Sequence, residues 1–144
     1  MDFGFDSPVP FERVLGEMDI NSSRPSAFVS GRTDHVGTCD LNGQEMHVGA
    51  TETPEGVTEF SVDFPGEFAC TFLGIPLGGP TADFTNSLDE KGIPWADPGI
   101  STIVLYEHWM AFFDDAGEVN QILWYNRESL TDLELLDKAF PPLN

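Results

Sequence analysis

Basic residues are scarce in this chain. Between Arg32 and Arg127 there is one, Lys91, while Asp and Glu recur every few residues over the same stretch. The totals are 25 Asp+Glu against 6 Lys+Arg, a formal charge of −19. Phosphate binding needs Lys and Arg, so nucleic acid and an anionic membrane surface are poor direct ligands. Cysteine is scarce too. Cys39 and Cys70 lie far apart in sequence; they could pair, but an unexported protein normally keeps its thiols reduced. No apolar run is long enough to span a bilayer. The opening residues Met1-Asp2-Phe3-Gly4-Phe5-Asp6 lack the basic start and apolar run of a signal peptide. The expectation is a soluble cytoplasmic protein with reduced thiols.

What is present is apolar mass. Hydrophobic residues make up 40% of the chain, with 12 Phe and 3 Trp. Disordered acidic tails lack that load, and here the charge is scattered rather than gathered in blocks of five or six. A chain of 144 residues is most simply one domain with one sizeable core. A charge of −19 repels itself and opposes that compaction. Either extreme solubility or a strongly basic partner would account for it.

Patterning predicts an α+β fold: an antiparallel sheet, made of a meander and a C-terminal hairpin, packed against two or three short helices. Phe11, Val14, Leu15 and Met18 form one apolar stripe and predict a helix over 8–18. Residues 19–27 are polar, contain Arg24-Pro25, and read as a loop. Asn42-Gly43 between two strand-like runs predicts a type I′ hairpin, because that turn needs positive φ at both central positions. The turn fixes the register: Leu41 faces Gln44, Asp40 faces Glu45, and Cys39 faces Met46. A second turn at Thr53–Gly56 leads into Val57–Phe64, where Thr58, Phe60, Val62 and Phe64 alternate with Val57, Glu59, Ser61 and Asp63. Phe68–Gly74 reads as the next strand. Residues 81–91 read as a helix with Thr81 as cap and Gly92 as stop. The apolar stretch 101–113 is one strand, or two broken near Glu107-His108. Asp115-Ala116-Gly117 reads as a three-residue hairpin loop before the strand Val119–Tyr125. A last helix is expected over 130–140, with Thr131 and Glu134 at capping-box spacing.

Catalytic and metal motifs are missing: no Gly-x-Ser-x-Gly elbow, no phosphate loop, no His-Glu-x-x-His. His35 and Cys39 share one face of the first hairpin and His47 takes the other, without zinc-motif spacing. His108, beside Trp109, reads as packed or half-exposed rather than as a base. Among so many acids some pair always falls at a glycosidase-like separation, so such pairs are unspecific. Asp114-Asp115-Ala116-Gly117-Glu118 lacks the alternation and the distant Glu of an EF-hand, and reads as a turn. No enzyme activity, metal or cofactor is expected. One charge pattern does point outward. Asp40 faces Glu45 at the first hairpin tip, and a three-residue loop sets Asp114 opposite Glu118 at the second. Like charges directly opposite destabilise a sheet, by about a few tenths of a kcal/mol each. Two tips carrying that cost suggest acids kept for a partner, with Asp40, Glu45, Asp114, Asp115 and Glu118 as contacts. Trp95, Tyr106, Trp109, Trp124 and Tyr125 are candidate anchors, although each alone reads as core more than as interface.

From Phe72 to Trp124 the order is Phe-Leu-Gly-Ile-Pro-Leu-Gly, a short helix holding Ala82-Asp83-Phe84 and Leu88, a strand, then Phe112-Phe113-Asp114-Asp115-Ala116-Gly117-Glu118-Val119 and Ile122. This stretch, about a third of the chain, resembles small acidic bacterial immunity proteins of polymorphic and contact-dependent toxin systems. The resemblance implies a role and no catalytic residue: a protein that caps a basic toxin domain by tight binding and occlusion. The alternatives are a DNA mimic that blocks a nucleic-acid-binding protein, a small-ligand-binding or enzymatic α+β domain, and a halophile-type acidic surface with no partner.

Overall fold

Strand register is set at the turn after Leu41. Gly43 holds φ +81°, and the ladder between β2 (Thr33–Leu41) and β3 (Gln44–Thr53) closes as Leu41 opposite Gln44, Asp40 opposite Glu45 and Cys39 opposite Met46. This is the register expected from Asn-Gly. In this computed structural model the described residues are 5–6, 8–26, 30–41, 43–64, 71–77, 79–97, 102–105 and 107–126. The expected helix over 130–140, Cys70 and Tyr106 lie outside them, as does Pro65-Gly66, which the sequence reads as a turn.

The chain turns again at Pro54-Glu55, with Gly56 at φ +123°, into β4 (Gly56–Asp63). Thr58, Phe60, Val62 and Phe64 are all buried, as their alternation requires. The apolar stretch after residue 101 is two strands, β7 (Thr102–Leu105) and β8 (Met110–Asp115), with a turn at 107–109 between them and Trp109 at φ +56°. With β1 (Asp19–Pro25) and β9 (Glu118–Tyr125) they complete a seven-stranded antiparallel sheet in the order β1-β2-β3-β4-β9-β8-β7. The sheet is thus two meanders joined side by side through β4 and β9. The second meander has three strands where a hairpin was expected.

Helix α1 (Phe11–Glu17) and helix α2 (Thr81–Glu90) bring Val14, Phe84 and Leu88 onto one sheet face. There they meet Phe60, Val62, Phe112 and Ile122, each fully buried. A smaller cluster of Val104, Ala111 and Tyr125 packs on the opposite face. No helix among the described residues is long and apolar enough to cross a membrane.

Four expectations are corrected. Residues 19–25 form the edge strand β1 rather than a loop. All but one of its residues are exposed, so no alternation marks it; main-chain pairing with β2 is what makes it a strand. The strand expected over 68–74 is instead the small hairpin β5 (Thr71–Phe72) and β6 (Ile75–Pro76), separate from the main sheet. Leu73 (φ +50°) and Gly74 (φ +80°) make its turn, and a leucine gives no warning of a left-handed conformation. Thr81 does not cap α2: Pro80 is the N-cap, and the Thr81 hydroxyl is committed to Asp114. Gly92 does stop that helix, at φ +69°. Finally, the β8–β9 loop has two residues, Ala116 (φ +56°) and Gly117 (φ +85°), not three. A bulge between Phe113 and Asp114 shifts the ladder, so Asp115 faces Glu118 and Asp114 faces Val119.

Candidate functional site

The meander topology decides where the hairpin tips go. Phe60 pairs with Ala50 on one side and Trp124 on the other, and Trp124 pairs with Met110. From that row, the β2–β3 turn and the β8–β9 turn lie at the same end of the sheet. Asp40, Glu45, Asp115 and Glu118 are therefore brought together at one end, and all four are exposed. The β2–β3 and β9–β8 tips flank β4, so the acids spread over about four strand spacings, roughly 20 Å. Exposed Asp63 ends β4 between the two tips. Arg24 and Arg32 lie at the opposite end, on β1 and just before β2, and Lys91 follows the far end of α2. Like charges face each other at both tips, as expected for Asp40 with Glu45, but at the second tip the pair is Asp115 with Glu118 and not the expected Asp114 with Glu118.

Asp114 is different in kind. It is half-buried, its Oδ1 accepts from the Gly117 N–H at 2.8 Å, and its Oδ2 accepts from the Thr81 hydroxyl at 2.7 Å. It braces a turn with a left-handed alanine, a conformation costing about 1–2 kcal/mol, and ties that turn to α2. Its carboxylate faces inward on the fold rather than outward.

The opposite end of the sheet holds a feature the sequence did not disclose. A cleft of about 710 Å³ opens between the N-terminal segment, the β3–β4 turn and the β7–β8 turn. Its walls include Phe5, Phe11, Phe72, Trp109, Trp124 and Tyr125. Phe5 stacks on Trp124 at 5.8 Å between ring centres. Asp6, Glu12, Glu55 and Glu107 also line it, with His108. Asp6 accepts from the Leu73 N–H at 2.7 Å, and Glu55 from the Thr53 hydroxyl at 2.9 Å. The nearest sequence signal was the run from Glu107 to Trp109, an acid beside aromatic residues at a strand break. Of the expected anchors, Trp124 and Tyr125 are buried, while Trp95 and Trp109 are half-buried. Trp95 donates its indole N–H to Asp89 at 2.8 Å.

The histidines are apart. His47 and His108 are exposed. His35 joins three strands: its Nε2 lies 3.0 Å from Glu52 Oε1 and its Nδ1 lies 2.7 Å from Ser23 Oγ. A carboxylate can only accept, so Nε2–H donates to Glu52, and in the neutral ring the Ser23 hydroxyl donates to Nδ1. The order is that of a nucleophile, base and acid. Yet Ser23 stands on the exposed edge strand and lines neither the cleft nor a smaller hollow of about 170 Å³ beside His35. The trio acts as a polar clamp that holds β1 against β2 and β3. Cys39 is a buried free thiol, and burial pushes its pKa up, with Glu17 and Asp40 adding to the rise against the pull of the N-terminal charge. A thiol so placed is a poor nucleophile. Among the described residues no group of three or more His, Cys, Asp or Glu is placed to hold a metal ion.

The class defined by this geometry is an α+β protein with a seven-stranded antiparallel sheet and two acidic hairpin tips at one sheet end. No protein family, curated protein or solved structure matches the chain.

Proposed function

We propose that this chain is a non-enzymatic, cytoplasmic inhibitor of the immunity-protein kind, which neutralises a basic toxin domain by tight binding and occlusion of its active site. One observation carries this reading: Asp40, Glu45, Asp115 and Glu118 converge on one sheet end in two mutually repelling pairs. Paired carboxylates kept at a cost to the fold suit a surface that meets positive charge. Complementary potential speeds encounter and rejects wrong partners more than it adds affinity. A DNA mimic needs carboxylates in two rows at duplex spacing. Here exposed acids also sit on α1 (Glu12, Glu17), on α2 (Asp83, Asp89, Glu90) and at the far sheet end (Glu55, Glu107), which favours that alternative less.

The experiment is kinetic. Toxin domains encoded beside this gene are titrated against the protein, and association rates are followed from low to high salt. The expected outcome is inhibition of the toxin with an association rate that falls by about tenfold or more as salt rises. Inhibition with a rate indifferent to salt would remove charge steering. No inhibition by any neighbouring toxin would remove the role.

A further inference from the structure

The cleft at the other end of the sheet is not used by an inhibitor that docks through Asp40, Glu45, Asp115 and Glu118. We propose that it is a separate binding site for a small organic cation, an ammonium group carried on an apolar body.

Size, walls and charge each narrow the ligand. The volume, about 710 Å³, falls within the range of sites that enclose small molecules. The walls include half-buried Phe5 and Trp109 above buried Phe72 and Trp124, so the ligand presents apolar surface or a group that favours aromatic contact. Among the described residues that line it there is no Lys or Arg, the side chains best suited to hold a carboxylate or phosphate. The polar groups at the edge are chiefly acids. Asp6 and Glu55 already accept hydrogen bonds from the protein, whereas Glu12 and Glu107 have no hydrogen bond or ion pair with another described residue. They flank the cleft from α1 on one side and from the β7–β8 turn on the other. A neutral apolar ligand would gain nothing from two carboxylates at the mouth. A cation with an apolar body gains from both features, since aromatic faces attract it through the ring quadrupole and the carboxylates through simple charge. A bare metal ion would not use the aromatic walls.

Two of the three tryptophans, Trp109 and Trp124, line the cleft, while Trp95 does not. Replacing the third, Trp95→Phe, leaves fluorescence that reports on the cleft alone. Benzyltrimethylammonium is titrated into this protein, with its neutral carbon isostere neopentylbenzene and the anion benzylsulfonate as comparisons. The expected result is saturable quenching by the cation with Kd below about 1 mM. The neutral and anionic probes should bind at least about tenfold more weakly. E12Q/E107Q should weaken the cation by about tenfold without changing the neutral probe. E45Q/E118Q, at the other sheet end, should leave the cation's affinity unchanged, which separates this site from the acidic docking end. Two results would overturn the proposal. One is equal affinity for the cation and its neutral isostere; the other is no saturation by the cation in protein whose circular dichroism shows it folded.

Discussion

Gly37 of β2 lies so close to the carbonyl oxygen of Asp19 that a β-carbon at position 37 would overlap it. The contact is backbone against side chain position, so no rotamer relieves it. It occurs where β1 pairs Ile20 with Gly37, just before the register shift between Ile20 and Ser22. Gly37→Ala is therefore expected to push β1 off the sheet edge and cost about 1–3 kcal/mol. Gly49→Ala is the control. Its β-carbon would meet the Ser61 hydroxyl, a side-chain atom that can rotate away, so the loss should stay below about 1 kcal/mol. Urea midpoints for the two variants, with hydrogen exchange along 19–25, decide it.

Asp114 gives a second test, because the residue expected to touch a partner also braces the fold. Asp114→Ala removes the acceptor for both the Gly117 N–H and the Thr81 hydroxyl, and should cost about 1–3 kcal/mol. Thr81→Val removes only one of these bonds and should cost less. Since the two residues share a bond, the double variant should lose less than the sum of the single ones. Additive losses in urea denaturation would show that the bond between them contributes nothing.

The sequence disclosed structure where local chemistry alone decides conformation. Asn42-Gly43 sets a register that three residue pairs obey, and the alternation from Thr58 to Phe64 sets a buried face. It disclosed less where the cause is non-local. Nothing in Asp19–Pro25 distinguishes an edge strand from a loop, because neither of its faces packs into the core and the pairing is main-chain. Leu73 and Ala116 adopt positive φ that their side chains disfavour, so neither residue marks its turn in the sequence. The acids were visible one by one, but their gathering at one sheet end depends on the return of β9 beside β4. The cleft was invisible for the same reason: Phe5, Val57, Trp109 and Trp124 come together only once both meanders are joined.

Asp63 carries a pH prediction. It stands on β4 between His47 of β3 and Gln121 of β9. Desolvation on the sheet raises its pKa above the ordinary Asp value, while a hydrogen bond with Gln121 and the charge of His47 act in the opposite direction. The native protein thus holds this proton more tightly than the unfolded chain does. Its contribution to stability is full below the unfolded pKa and is lost as pH rises through the higher folded value. Asp63→Asn should then stabilise the protein slightly at neutral pH relative to acid. The difference between the two melting-temperature profiles should change just above the ordinary Asp range and be flat at higher pH. Because the residue is exposed, the effect is small. A difference that changes with the opposite sign would reverse the assignment.

The two like-charge pairs predict opposite signs for stability and for association. Glu45 faces Asp40 and Glu118 faces Asp115, all exposed, on a chain of formal charge −19. Glu45→Gln or Glu118→Gln removes one direct repulsion and should stabilise the fold by about 0.2–0.5 kcal/mol each. The tips are separated by β4, and their effects should be nearly additive. Raising salt screens the same repulsion over a length of about 10 Å at 0.1 M, so the gain should shrink as salt rises and the wild type should itself melt higher. If the acids served solubility alone, these variants would be more stable without loss of binding. If they serve a basic partner, the same two changes must slow association while leaving dissociation nearly untouched, because steering acts before contact. Melting curves at two salt concentrations, set beside association and dissociation rates for the same variants, put both signs in one experiment. A stabilised double variant that still associates at the wild-type rate would leave the repulsion at both tips without a functional cause.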